Sequence, residues 1–493
     1  MENSRDLAVQ ILARIEAEQA YANIILDTEL QKASLRDPRD KALTTEIVYG
    51  VLRWQKRLDW YLDQVCKKPL QQAPPWLRHI LRVGSYQILM LDKIPPSAAI
   101  NESVKLAGKY RRKLKLPAHT AKGVVNGILR QLHRSLATLR APETIPDKVT
   151  RLAVQYSYPE WLVKRWFQRL GEQDAEACCR IQNQPPHLML RVNPFKTSCA
   201  ALQKRLAEYA GNITPLPEPL NGLVLDGAPA FAELQCYQHG ECTLQNAASM
   251  LVSQILDPKP RENILEACAG AGIKTTHIGE LMENDGKITA VDIHENKLNR
   301  LQENCQRIGI SIVRPYQADM TTQLDLPASH FQNGQGFDRI LVDAPCSGLG
   351  VLRKHPEAKW TVEEHHIHTL QHLQLRILNQ SASLLNAQHG VLVYSTCTTE
   401  PEENEDVIAQ FLQDHPGFDI ESPQKYLPRE LHACITSQGF LRIEPPHEYF
   451  DGFFCVKLVR TRESLFLDAT IYEKPGFRKN PGFFNDLAQQ RED

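Results

Sequence analysis

The sequence has no run near the ~20 consecutive apolar residues that a bilayer-spanning helix needs. Its first residues, with Glu2 and Asp6, lack the apolar segment of a secretory signal, so a cytoplasmic protein with no membrane association is expected. None of the 12 cysteines stands in a Cys-x-x-Cys pair, which argues against a zinc ribbon. Without a secretory signal a disulfide framework is not expected either, and most of the cysteines read as small buried hydrophobes. Charge of neither sign dominates, with 57 basic and 58 acidic residues, but the balance hides an asymmetry. Residues 1–140 hold 24 Lys or Arg against 13 Asp or Glu, and the rest of the chain holds 33 against 45. A basic N-terminal third is a handle for a polyanion, although a merely solvated helical surface has the same composition.

The 493 residues are too many for one hydrophobic core and predict roughly three domains. From Ser4 to about His133 the apolar spacing is helical. Ser4 can cap a first helix whose Leu7, Ile11, Leu12 and Ile15 share a face, and turns are expected at Asp37-Pro38, Ala73-Pro74-Pro75 and Ile94-Pro95-Pro96. A polar, proline-bearing linker follows to about Asp147. Next come a helical pattern from Pro159 to Gln182, a strand-like run Leu188–Asn193 and a helix near Cys199 to Tyr209. From about Gly240, short apolar strands at Asn263–Cys268, Lys287–Asp292, Asp338–Asp343 and Gly390–Ser395 alternate with amphipathic helices, the pattern of a doubly wound parallel sheet. Asp451–Leu458 reads as a late strand. The expected division is a helical domain at 1–135, a small α+β segment at 148–239, an α/β domain at 240–460 and an extension at 461–493. That extension carries Pro475-Gly476-Phe477 and Pro481-Gly482-Phe483 and has no assigned role.

The first strand of the α/β domain runs into Cys268-Ala269-Gly270-Ala271-Gly272-Ile273-Lys274-Thr275, where small residues let backbone approach a ligand. Asp292, twenty residues after Gly272, ends the second strand, where an acid can hold ribose hydroxyls, and Asp319 follows the third. A dinucleotide fingerprint would have glycine at Thr275, and a phosphate loop would have it at Ile273. A cofactor with a ribose and no phosphates, S-adenosylmethionine, fits better.

Two cysteines leave the carboxyl ends of strands and point at the cleft. One lies in Asp343-Ala344-Pro345-Cys346-Ser347-Gly348, the other in Tyr394-Ser395-Thr396-Cys397-Thr398. Thr399-Glu400-Pro401-Glu402 reads as a capping box that starts a helix two residues past Cys397, where a helix N-terminus would favour a thiolate. A reactive thiol with a carboxyl group beside it is what methylation of cytosine at C5 requires. Addition of the thiolate to C6 makes C5 nucleophilic, and the carboxyl group engages the N3 edge.

These motifs, with Arg353-Lys354-His355-Pro356-Glu357 and Glu402-Glu403-Asn404-Glu405, resemble those of the Nol1/Nop2/Sun family of RNA cytosine-C5 methyltransferases. The resemblance covers about Asp6 to Arg460 and is greatest to the bacterial type that acts on 16S ribosomal RNA. It implies a Rossmann-like class I methyltransferase sheet, S-adenosylmethionine as cofactor, and small-subunit ribosomal RNA as partner. Cys397 would be the nucleophile, and Cys346 would assist release. The first 135 residues resemble the RNA-binding helical domain of the NusB antitermination factor. Arg5-Asp6-Leu7-Ala8, Tyr49-Gly50-Val51-Leu52-Arg53, Asn101-Glu102-Ser103-Val104 and Val125-Asn126-Gly127-Ile128-Leu129-Arg130 carry that likeness. The family's cofactor loop usually reads Cys-Ala-Ala-Pro-Gly-Gly-Lys. Here Ala271 replaces the proline, and Ile273 replaces a glycine. Ile273 is the departure that bears on cofactor affinity, because a β-branched residue tolerates positive φ poorly. Lys274 is retained and is expected near the methionine end of the cofactor or near Asp343.

His365, His368 and His372 fall on one helix face, which reads as solvated, and no metal is expected. The run Lys109-Tyr110-Arg111-Arg112-Lys113-Leu114-Lys115 is expected to contact RNA phosphates, with Arg191 and Asn193 as weaker RNA-contact candidates. No obligate protein partner is evident. Two other readings share much of this pattern: a transfer-RNA cytosine methyltransferase, and a non-catalytic RNA-binding assembly factor on a dead methyltransferase fold.

Overall fold

The structure, a computed structural model, describes residues 3–461 except 34, 36, 209–210, 227–234, 325, 328–329, 331–335 and 445–448. The proline-glycine motifs beyond Thr461, and Tyr209 at the end of the expected middle helix, lie outside the described residues. None of the described helices is long and apolar enough to cross a membrane.

The chain forms two compact units. The first runs to Gln184 and also takes in the later segment Leu352–Val362. Its helices are Ser4–Glu18, Ala22–Lys32, Pro38–Asp63, Pro75–Met90, Pro96–Lys109, Ala118–Ser135, Lys148–Gln155 and Glu160–Ile181. The expected proline turns are helix starts: Pro38, Pro75 and Pro96 each occupy a first helical position, where the missing N–H costs nothing. The first cap is Asn3 rather than Ser4. The Asn3 side chain accepts from the Asp6 N–H at 2.9 Å, while the Ser4 hydroxyl donates to Asp40 at 2.7 Å and so is unavailable for capping. Leu7, Ile11, Leu12 and Ile15 enter one core with Ile47, Val51, Ile80, Val83, Val125 and Leu129. Gly50 is required by close approach, since a Cβ there would lie 2.0 Å from the Tyr86 ring.

Segment Leu352–Val362 is built into this unit. Lys359, 1% exposed, donates to the Arg53 carbonyl at 3.1 Å, the Ser157 carbonyl at 3.1 Å and Asn183 Oδ1 at 2.6 Å. Its ammonium lies 3.6 Å from the centre of the Tyr158 ring, and the neighbouring Trp360 indole donates to the Leu52 carbonyl at 2.7 Å. Arg53 donates to the Arg353 carbonyl at 3.1 Å, and Glu357 Oε1 accepts from the Ala22 N–H at 3.1 Å.

The second unit contains two sheets. The smaller consists of β1 (Leu188–Val192), β2 (Asn212–Pro215), β3 (Gly222–Asp226) and β4 (Cys242–Leu244), antiparallel in the order β2-β3-β1-β4. The larger is built from β5 (Asn263–Ala267), β6 (Lys287–Asp292), β7 (Val313–Gln317), β8 (Arg339–Asp343), β9 (Val391–Thr396), β10 (Phe418–Glu421), β11 (Leu441–Ile443) and β12 (Phe453–Arg460). Its order is β10-β12-β9-β8-β5-β6-β7, with β11 on β12. Strands β5 to β9 are parallel, whereas β12 runs antiparallel to β9. Both faces are covered: Leu265, Val291, Val342 and Leu392 enter one core, and Ile264, Ile288, Leu341 and Val393 the other. That is why these strands read as unbroken apolar runs. The strand order reverses between β5 and β8, and the crevice outside the carboxyl ends there is where open α/β sheets bind ligands.

Candidate active site

At the end of β5 the backbone takes positive φ at Cys268 (61°), Gly270 (58°) and Gly272 (79°), and helix Ile273–Leu281 begins at once. Ile273 is therefore the first helical residue and carries no positive φ, so the expected penalty for its β-branch does not arise. A Cβ on Gly272 would strike Leu301 at 2.6 Å, whereas one on Gly270 would meet nothing within 4 Å. Gly270 thus lines open space. Asp292, the last residue of β6, ties the loop down: its carboxylate accepts from the Gly270 N–H and the His294 N–H, each at 2.9 Å. Ala269 N–H donates to the Val291 carbonyl at 2.8 Å, and Asn304 donates to the Ala271 carbonyl at 3.0 Å. Asp319 lies just beyond β7, with its carboxylate accepting from the Thr321 N–H at 2.8 Å. Burial pushes the Cys268 thiol up, so it contributes backbone rather than a reactive sulfur.

The loop is backed from below by Arg191 of β1. Its guanidinium donates to the Ile273 carbonyl at 2.8 Å and the Thr276 hydroxyl at 2.9 Å, and pairs with Glu280 at 2.9 Å. Arg191 and Asn193 are each 1% exposed, and Asn193 donates to the carbonyls of Gly240 and Ile308 at 2.8 and 2.9 Å. Neither is an RNA contact. Both are internal struts, because their polar atoms are already spent on buried acceptors.

The two cysteine loops meet. Cys346 Sγ and Cys397 Sγ are 3.3 Å apart, and the Gly350 N–H donates to the Cys397 carbonyl at 3.0 Å. The hydrogen bond with Cys397, and then burial, push the Cys346 thiol well up. Beside the pair, Lys274 Nζ sits 2.5 Å from Asp343 Oδ2, and the Ser395 hydroxyl donates to Asp343 Oδ1 at 3.1 Å. Burial opposes the Lys274 charge, but the Asp343 carboxylate outweighs it and the lysine is raised. Cys346, Cys397, Asp343 and Lys274 therefore share one cluster, while Asp292 and Asp319 lie along the adjoining strand ends.

The helix expected two residues past Cys397 starts later. A 3-10 turn, Pro401–Glu403, starts four residues after Cys397 with no side-chain cap, and the α-helix begins only at Glu405. The side chains following Cys397 are used differently. Glu403 and Asn404 are fully buried and bind the cysteine loops themselves.

Glu266 was not singled out by the sequence, although it is the one acid in β5. It is 1% exposed, its Oε2 has no hydrogen-bond partner among the described residues, and burial with the nearby Asp343 charge pushes its carboxyl up to about 8. An orphaned acid oxygen beneath the glycine turn, the open space at Gly270 and the acid at Asp292 suit a small ligand with hydroxyl and ammonium groups. They do not form a phosphate cradle.

Outside this cluster, His365, His368 and His372 lie exposed, and no group that could hold a metal ion occurs among the described residues. In the basic run, Lys109 and Tyr110 bind the buried Asp6, and Arg111, Arg112, Lys113 and Lys115 remain exposed.

Comparison with known proteins places this geometry. Residues 253–459 match the family described as 16S rRNA methyltransferase RsmB/F. The probable ribosomal RNA small subunit methyltransferase B of Bacillus subtilis is 39% identical over 456 residues, 91% of this chain and 97% of the relative. The chain belongs to the RsmB/F family of 16S rRNA methyltransferases. The ribosomal RNA small subunit methyltransferase B of Escherichia coli is 33% identical over 93% of this chain and 99% of its own. A solved methyltransferase homolog from Pyrococcus horikoshii is 28% identical and superposes with a TM-score of 0.54, covering 64% of this chain and all of that one. Residues 2–134 match the NusB family and 158–232 the ferredoxin-like domain of RsmF/B-like methyltransferases. The fold is thus a Rossmann-like methyltransferase sheet preceded by a NusB-like helical domain and a ferredoxin-like middle domain.

Proposed function

We propose that this protein transfers a methyl group from S-adenosylmethionine to C5 of one cytosine in small-subunit ribosomal RNA, with Cys397 as covalent nucleophile. The observation that carries the reading is the pair of thiols 3.3 Å apart at the carboxyl ends of adjacent strands, beside the Lys274–Asp343 pair. The cofactor's ribose would be held by Asp292 and its adenine would lie near Asp319, against the backbone from Cys268 to Ile273. Lys274 and Glu266 would stand toward its methionine end. When bound there, S-adenosylmethionine supplies an electrophilic methyl that the C5 electron pair takes as S-adenosylhomocysteine departs.

The protein's own residues do the rest. The Cys397 thiolate adds to C6, forming the C–S bond and moving the C5=C6 pair onto C5, while Asp343, fixed by Lys274 and Ser395, engages the N3 edge. After methylation the C5 proton must leave. Cys346, within 3.3 Å of Cys397, gives its proton to the departing sulfur and takes up the C5 proton. The C5–H pair then restores the double bond as the C6–S pair returns to Cys397.

Docking of RNA is assigned to residues 1–135, on the NusB family match and the exposed Arg111, Arg112, Lys113 and Lys115. Residues 158–232 would assist it. Bisulfite mapping of ribosomal and transfer RNA, from cells with and without the protein, tests the reading. One cytosine of 16S ribosomal RNA should lose its protection when the protein is absent. Loss in transfer RNA instead would move the substrate, and no change in either would leave a non-catalytic assembly factor.

A further inference from the structure

Two adjacent buried residues each hold the neighbours of one cysteine. The Glu403 carboxylate accepts from the Ser347 N–H at 2.8 Å and from the Ser347 hydroxyl. It also accepts from Gln374 Nε2 at 3.0 Å, and that same amide donates to the Pro345 carbonyl at 2.9 Å. Pro345 and Ser347 flank Cys346. Asn404 does the same for the other loop: its Oδ1 accepts from the Thr396 hydroxyl at 2.6 Å, and its Nδ2 donates to the Thr398 carbonyl at 3.1 Å. Thr396 and Thr398 flank Cys397. The two clamps are joined to each other by the Ser347–Thr398 hydroxyl contact at 2.9 Å and fixed to β9 by the Tyr394 hydroxyl, which donates to the Glu403 carbonyl at 2.6 Å. Glu403, Asn404 and Gln374 are 0% exposed, so no water competes for these bonds.

We infer that Glu403 and Asn404 are positioning residues that address the two cysteines separately, Glu403 setting the release thiol of Cys346 and Asn404 the attacking thiol of Cys397. The inference rests on the covalent mechanism proposed above and adds the division of labour within the Glu402-Glu403-Asn404-Glu405 motif. Glu403 Oε2 accepts from two N–H donors at once, the Ser347 amide and Gln374 Nε2, so an oxygen is required at that position. A glutamine can keep its oxygen there and turn its N–H toward the Ser347 hydroxyl, which can accept, whereas alanine removes every bond. A displacement of about 1 Å in a reacting group costs on the order of a hundredfold in rate.

The test uses the full-length protein and a 16S ribosomal RNA transcript containing cytosine or 5-fluorocytosine. Glu403→Ala should lower kcat by about a hundredfold while leaving KM for S-adenosylmethionine within about twofold of wild type, and Glu403→Gln should recover most of that loss. Glu403→Ala should still be trapped on 5-fluorocytosine RNA and should accumulate covalent complex on ordinary RNA. Asn404→Ala should show the opposite: weak trapping on 5-fluorocytosine RNA and no accumulation on ordinary RNA. A general loss of folding would lower trapping by both variants, and calorimetric binding of S-adenosylmethionine identifies a variant that has failed to fold. Equal loss of adduct in folded Glu403→Ala and Asn404→Ala overturns the inference, as does wild-type behaviour of Glu403→Ala. If wild type itself is never trapped, the covalent mechanism falls and takes this inference with it.

Discussion

Cys346 and Cys397, 51 positions apart in the sequence, bring their sulfur atoms to 3.3 Å, and that contact, with burial, pushes the Cys346 thiol up. The contact is made because β8 and β9 are adjacent parallel strands in register, with Asp343 opposite Ser395, so Cys346 follows its strand end by three residues and Cys397 by one.

The two cysteines should therefore fail differently. Cys397→Ala should abolish methylation and form no covalent complex with RNA, since addition to C6 never occurs. Cys346→Ala should add, methylate and stall, leaving protein cross-linked to RNA on a denaturing gel. Trapping of Cys397→Ala on 5-fluorocytosine RNA, with none for Cys346→Ala, would invert the assignment.

Asp292, proposed above to hold the cofactor's ribose, braces the glycine turn through the Gly270 N–H. Its replacement by alanine should weaken S-adenosylmethionine binding at least tenfold, about 1.4 kcal/mol, by calorimetry. Unchanged affinity would remove Asp292 from the cofactor site.

Glu266 makes stability depend on pH. Burial raises its folded value from 4.5 to about 8. Between those values the unfolded chain sheds a proton that the folded chain keeps, so this group's contribution to stability falls as pH rises and levels off above about 8. Glu266→Gln cannot ionise. Its stability relative to wild type should climb from about pH 5 to about pH 8 in urea melts. Parallel curves for the two proteins across that range would show that Glu266 does not hold its proton.

Lys359 satisfies three buried acceptors at once. Lys359→Met keeps the length of the side chain but strands the Arg53 and Ser157 carbonyls and Asn183 Oδ1. The first compact unit should lose about 3 kcal/mol in urea unfolding, the cost of leaving such groups unpaired in the interior. A loss below about 1 kcal/mol would mean that water replaces the ammonium.

Much of this molecule can be read from its residues, for identifiable reasons. The strands of the large sheet are buried on both faces, so their apolar runs stand out, and Lys287–Asp292 was placed to the residue. The glycine turn and the two Cys loops follow directly from the strand ends. What failed was whatever depends on burial. Arg191 and Asn193 have the side chains of RNA ligands, but nothing local says that they lie under helix Ile273–Leu281 and against Ile308. The Ile273 penalty was misplaced because the positive φ falls one residue earlier, at Gly272. Glu403 and Asn404 turn inward to the cysteine loops, and the α-helix begins at Glu405 rather than two residues past Cys397.

Segment Leu352–Val362 has a consequence for the order in which the chain is made. The first compact unit is closed by residues that lie more than 160 positions beyond Gln184. As the chain leaves the ribosome, the N-terminal helices can associate early, but the carbonyls of Leu52, Arg53 and Ser157 wait for donors encoded at Lys359 and Trp360. Those donors arrive only after Cys346 has been synthesised, and before Cys397. These partners of the N-terminal unit thus emerge between the two cysteines, and a truncated chain ending before Leu352 lacks a piece of its own first domain.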